Sequence, residues 1–280
     1  MPDPTMPNLE LLARHFARIG AAFRAEAPER RPWFRRDDVP WFSLDVDERA
    51  PGEPFVLRTS PAHLDVLDLQ VVNANAAQRH LLLHAAIRLS NHQTDKHKYL
   101  CGHDERHWFV AETSRTNVTT VREAMEALRP PEVAWAVRHQ AIKPKRRYRR
   151  RNRAFVRQGE WFFLPRPGMR PERTGVIHRH EPLRRSGGKP HLVEEIVRTG
   201  GQLVYWNARF PDGLTEAQYR RRLMKSPALR KLSWQVMRRN PCVYARGTVR
   251  HADHATLRLR IWHEVAMAAE GQTGTVAFLD

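Results

Sequence analysis

Two short stretches carry the residue types that perform acid–base or metal chemistry. His103-Asp104-Glu105-Arg106-His107 places two imidazoles and two carboxylates in five residues, and Arg250-His251-Ala252-Asp253-His254-Ala255-Thr256 repeats the combination. A neutral imidazole binds metal through a ring nitrogen and exchanges protons near neutral pH, while a nearby carboxylate orients the ring. If the two turns meet, His103, His107, His251 and His254 are the catalytic candidates. With Asp104 and Asp253 they also form the metal-ligand candidates, for a divalent ion that activates water against a phosphodiester. Without metal, the histidines would act as base and acid, and Arg106 or Arg250 would stabilise the phosphorane. The spacing differs from the HExxH zinc motif, in which one helix face presents both histidines. Polar turns also collect His and Asp for conformational reasons, so two unrelated turns are the competing reading.

A second kind of chemistry is carried by charge. Lys143, Lys145, Arg146, Arg147, Arg149, Arg150, Arg151 and Arg153 put eight basic residues into eleven, with Tyr148 and Asn152 among them. Such a run cannot be buried, because each cation would lose its hydration without a carboxylate to replace it. Arginine forks suit phosphate, and Tyr148 could stack on an exposed base. Pro144 starts the run as a loop rather than a helix. A solvated loop or a localisation-type tract is the blander alternative. Arg220, Arg221 and Arg222 begin a second basic stretch that continues through Lys225, Arg230, Lys231, Arg238 and Arg239. Neither stretch contains an acid: none occurs between Glu132 and Glu160, or between Glu216 and Asp253.

These residues need elements to position them. The spacing of Leu9, Leu12, Phe16, Ile19 and Phe23 predicts a helix from an Asn8 cap to about Ala25. Pro32-Trp33-Phe34 and Pro40-Trp41-Phe42 read as an extended segment docked by its aromatics. Runs at 55–57, 64–72 and 79–87 read as strands, and Tyr99–Cys101 with Trp108–Val110 as a hairpin carrying the first histidine turn. Thr120 and Glu123 form a capping box for a helix to Leu128, which Pro130 and Pro131 end. A hairpin about Gln158-Gly159 follows the basic run. Beyond it, His191–Arg198 reads as helical and Leu203–Trp206 as a strand. Thr215 with Gln218 caps a helix to about Met224, Ser226-Pro227 opens another to Arg239, and Val243–Arg250 pairs with Ala255–Val265. The expected fold is α+β, antiparallel hairpins packed with several helices and an N-terminal helix. The expected parts are 1–165, including the basic run, a Pro/Gly/Arg-rich loop at 166–189, and 190–280; the alternative is that they form one continuous domain.

Bulk properties bound the function. With 280 residues, 41% of them hydrophobic, the chain can build a real core. A net charge of +18 and a pI near 11.0 favour a polyanionic partner. Arginine supplies 41 of the 48 basic residues, which GC-rich coding would also produce, so the acid-free stretches weigh more than the total. Two cysteines are too few for a disulfide framework, and the early acids Asp3 and Glu10 do not suit a signal peptide. No apolar run reaches the roughly 20 residues that span a bilayer. The expectation is a cytoplasmic protein that binds nucleic acid, RNA or DNA, with no membrane contact. The alternatives are a nuclease using the two histidine turns, with or without a divalent metal, and a non-catalytic assembly protein that meets acidic partners or joins a nucleoprotein complex.

Overall fold

Leu9, Leu12 and Phe16 recur at helical spacing, and α1 (Leu9–Arg18) buries Leu12 and Phe16. The computed structural model describes residues 9–27, 42–89, 93–171, 176–184 and 189–269. Asn8 and the aromatic segment from Pro32 to Trp41 lie outside the described residues. The periodicity predicts a helix to about Ala25, but the helix stops at Arg18 and Gly20 turns the chain at φ +80°. Residues 23–26 then form β1 (Phe23–Glu26). Phe23 still stacks on Phe16, with ring centroids 4.9 Å apart, so the apolar spacing is satisfied by a strand folding back rather than by a longer helix.

In the first half, β1 runs parallel to β3 (Phe55–Thr59), which pairs antiparallel with β2 (Phe42–Val46). A meander follows: β4 (Leu67–Asn75), β5 (His80–Arg88), β6 (Thr94–Asp104) and β7 (His107–Glu112). β5 carries apolar residues on successive positions rather than alternate ones, because both its faces are covered. Leu81, Leu83, Ala85 and Ile87 join a core with Leu12, Phe16, Phe55 and Leu57. Leu82 faces the other way, into a cluster with Val121 and Ala124 of α2 (Val121–Ala127). Each buried Leu, Ile, Val or Phe among these contributes roughly 1.5–3 kcal/mol. Thr120 and Glu123 form the expected reciprocal capping box at the start of α2.

Among the described residues the chain divides into two compact units, one up to Ala134 that also takes Ala268 and Ala269, the other from Trp135 to Met267. The division falls inside α3 (Pro131–His139). The second unit contains β8 (Val156–Gln158), β9 (Trp161–Pro165), β10 (Ile177–Leu183), β11 (His191–Thr199), β12 (Gln202–Asn207), β13 (Phe210–Leu214), α4 (Glu216–Lys225), β14 (Gln235–Arg239), β15 (Cys242–Arg250) and β16 (Leu257–Met267). Six of its strands form one antiparallel sheet in the order β10-β11-β15-β16-β9-β8, and three form a smaller sheet, β13-β12-β14. The stretch 166–189 is not all loop: β10 lies within it, and β10 and the flanking strands β9 and β11 belong to the same six-stranded sheet. Trp161, Phe163, Val193, Ile196, Ala245, Val249 and Leu259 make its core.

The α+β expectation is therefore corrected: sixteen strands in four sheets dominate, with four α-helices, among the described residues. Two segments account for much of the difference. His191–Arg198 has apolar residues at 192, 193, 196 and 197, which mimics helical spacing. In the structure it is β11, and a register shift between Val193 and Glu195 interrupts the two-residue alternation. The Glu194 carboxylate there accepts from both the backbone N and the Oγ1 of Thr248 on β15. The helix expected from Ser226 to Arg239 is a 3-10 turn at Pro227–Lys231 followed by β14, whose residues 235–239 pair with 202–206 of β12. Non-local pairing outweighs weak local helical preference in both cases.

Candidate functional site

The basic run is a folded segment. A 3-10 turn at Pro144–Arg146 opens it, and an isolated bridge joins Arg151 to Val156. Asn152 pins the turn: its Oδ1 accepts from the backbone N of Ala154 at 2.8 Å and Phe155 at 3.2 Å, and its Nδ2 donates to the Arg146 carbonyl at 3.3 Å. Arg147 Nε donates to the Ile142 carbonyl at 2.9 Å, and Arg150 reaches the Arg157 carbonyl at 3.4 Å. Arg147, Tyr148 and Arg150 are half-buried, whereas Lys143, Lys145, Arg146, Arg149, Arg151 and Arg153 are exposed. The carbonyl of Gln140 accepts from Arg153 at 3.3 Å. The run thus divides into arginines that hold the turn and cations presented to solvent.

The second basic stretch lies on α4 and the small sheet. Arg220, Arg221 and Arg222 are exposed on α4, and the Thr215–Gln218 capping box fixes its start. Arg220 pairs with Glu216 at 2.5 Å, and Arg222 lies over the Phe210 ring at 5.9 Å. Tyr219 stacks on Tyr205 of β12 at 4.1 Å, attaching the helix to the sheet.

The two histidine turns belong to different units. In the first, His103, Asp104 and His107 end the paired strands β6 and β7, with Glu105 at positive φ in the turn. The Glu53 carboxylate accepts from the His107 ring and from the Trp108 backbone N, so His107 has a structural partner. His103 packs edge-on against Trp108 at 4.9 Å; burial, then the Arg79 cation, lower its pKa.

In the second unit, His251 and His254 stand on the bend after β15, and a residue the motif does not contain joins them: His191, the first residue of β11. Register places it there, because Leu192 pairs with Arg250 and position 191 therefore falls beside 251. The His191 and His251 rings stack at 4.1 Å, His251 and His254 at 4.7 Å, and His191 and His254 at 5.7 Å. His191 is 1% exposed, and neither of its nitrogens has a hydrogen-bond partner. Burying a polar group unsatisfied costs about 1–3 kcal/mol. Burial, followed by the two neighbouring imidazoles, pushes its pKa down to about 3, so it is neutral at physiological pH. The Asp253 backbone N donates to His251 Nδ1 at 3.1 Å, which leaves Nε2 to donate to the Lys189 carbonyl, also at 3.1 Å. Asp253 itself is held by Lys189 Nζ at 2.9 Å. From the β8–β9 hairpin, Gln158 Nε2 donates to the Ala255 carbonyl at 2.7 Å, tying the hairpin to the histidine bend.

One nitrogen from each of His191, His251 and His254 lies within 4.8 Å of the others, the one such metal-capable group among the described residues. It takes in two of the sequence candidates, His251 and His254, but not His103, Asp104, His107 or Asp253. His191 was missed because its segment mimics a helix and only strand pairing brings it to the bend. Cys101 and Cys242 are free thiols, and no helix of the described residues is long and apolar enough to cross a membrane. No family model, curated protein or solved structure matches the chain.

Proposed function

We propose that this protein binds nucleic acid, RNA or DNA, through the basic segment 143–153, with the arginines of α4 as a second contact. The observation that carries the reading is that the segment is fixed by its own hydrogen bonds while Lys143, Lys145, Arg146, Arg149, Arg151 and Arg153 remain exposed. None of these six is in an ion pair among the described residues. A pre-folded cation array loses less conformational entropy on binding phosphate than a flexible tail does. Half-buried Tyr148 lies within the array, where a base splayed from a single strand would find a ring.

The test is fluorescence anisotropy with labelled single- and double-stranded oligonucleotides over a range of salt. Each phosphate contact adds about 0.9 to the log–log salt slope on duplex DNA and about 0.7 on a single strand. Charge reversal at Lys143, Lys145, Arg146 and Arg149, which spares the structural Arg147 and Arg150, is expected to abolish salt-sensitive binding. Unchanged affinity in that variant would sink the proposal.

A further inference from the structure

We propose that His191, His251 and His254 form a binding site for a divalent transition metal of the zinc type, with a fourth coordination position left to water or a ligand. The inference is independent of the nucleic-acid reading.

Three observations converge on the site. First, His191 is buried with both ring nitrogens lacking a partner, an arrangement that a ligand on either nitrogen relieves. Second, Gly159, at φ +56° in the β8–β9 turn, leaves space that a side chain would fill. A Cβ there would stand 2.8 Å from His254 Nε2 and 3.4 Å from His191 Nε2, so both nitrogens border the same small volume. Third, His251 already makes the outer contact that metal-bound histidines use, one ring N–H given to a backbone carbonyl, here that of Lys189.

The geometry is open rather than closed. Zinc–nitrogen bonds near 2.1 Å in a tetrahedron set nitrogens about 3.4 Å apart. The three nitrogens lie within 4.8 Å of one another, so the rings close in by at most about 1.4 Å and rotate out of their stack on binding. His251 and His254 stand on a bend, which permits this, while His191 on β11 provides the fixed ligand. Ligation through His251 Nδ1 replaces the hydrogen bond from the Asp253 backbone N and keeps the one to Lys189. The ligand set is entirely neutral imidazole, which suits zinc, copper or nickel rather than magnesium or calcium. Three protein ligands with one open position is the arrangement of zinc sites that bind water. β8 spans three residues, roughly 10 Å, between the end of the basic segment and the Gly159 turn.

The test uses the untagged full-length chain, stripped with chelator and titrated with Co2+ as the reporter and then with Zn2+ in competition. The expected result is one tight equivalent giving the visible absorption of tetrahedral Co2+, bleached by Zn2+. His191→Asn and His254→Asn are each expected to weaken it on the order of 100-fold or more, beyond the loss from disturbing an outer-shell contact. His178→Asn, elsewhere on the six-stranded sheet, keeps the signal. Because His191 is buried, circular dichroism checks that its variant folds; if it does not, half-exposed His254 decides the outcome. Absence of a tight equivalent in the wild type, or its retention in a folded His191 or His254 variant, overturns the proposal.

Discussion

Gly159 and His254 approach so closely that a Cβ on the glycine would stand 2.8 Å from the imidazole Nε2. Gly159→Ala therefore meets two penalties, a left-handed backbone at φ +56° and a collision with the ring. The expected destabilisation is about 1–3 kcal/mol in urea unfolding. Gly200→Ala separates the two penalties, because Gly200 has φ +66° and nothing within 4 Å of an added Cβ. Gly200→Ala should cost less; equal losses would mean that the ring moves aside freely.

Asn152 bonds three backbone groups of the basic segment and carries no charge. Asn152→Ala is expected to cost about 1–2 kcal/mol of stability, since it strands buried backbone donors of Ala154 and Phe155. If the fixed shape of the segment matters for binding, affinity falls several-fold while the salt slope changes little, because the phosphate-contacting cations are all still present. Anisotropy at two salt concentrations reads both quantities. A binding curve identical to the wild type would show that charge alone suffices.

His97 gives the first unit a pH dependence. Burial lowers its pKa, but the Glu112 carboxylate at 2.6 Å and Asp95 at 3.1 Å outweigh burial, and the net shift is upward. A raised pKa in the folded state means that the stabilisation is fully present below the ordinary histidine value of 6.5 and fades as pH rises through the folded value. Because burial lowers the pKa of His84, His103, His191 and His263, whose contributions to stability grow over the same range, the His97 loss is read as the difference between wild type and His97→Gln in urea unfolding at about pH 6 and about pH 8. In His97→Gln that component should vanish, and a variant with the same pH dependence as the wild type would remove His97 as its source.

Local chemistry was legible in the sequence where it depends on near neighbours. Thr120 with Glu123 and Thr215 with Gln218 specify their capping boxes, because donor and acceptor lie three residues apart on one turn. The hairpins at 99–110 and 156–165 follow from apolar runs on either side of polar or glycine-bearing turns. The concentration of charge at 143–153, and the closeness of His251 to His254, are likewise facts of the chain. The predominance of β-structure was not legible in this way. A bulge at Glu194 gave β11 a helical spacing of apolar residues, and Phe23 kept the period of α1 from within a strand. Only tertiary structure decided that His191 lies against His251, since strand register carries the pairing of 192 with 250 across more than fifty intervening residues and no local signal encodes it. It likewise divided the basic run, turning Arg147, Arg150 and Asn152 inward to backbone carbonyls and amides that the fold brings within reach, and leaving their neighbours to solvent.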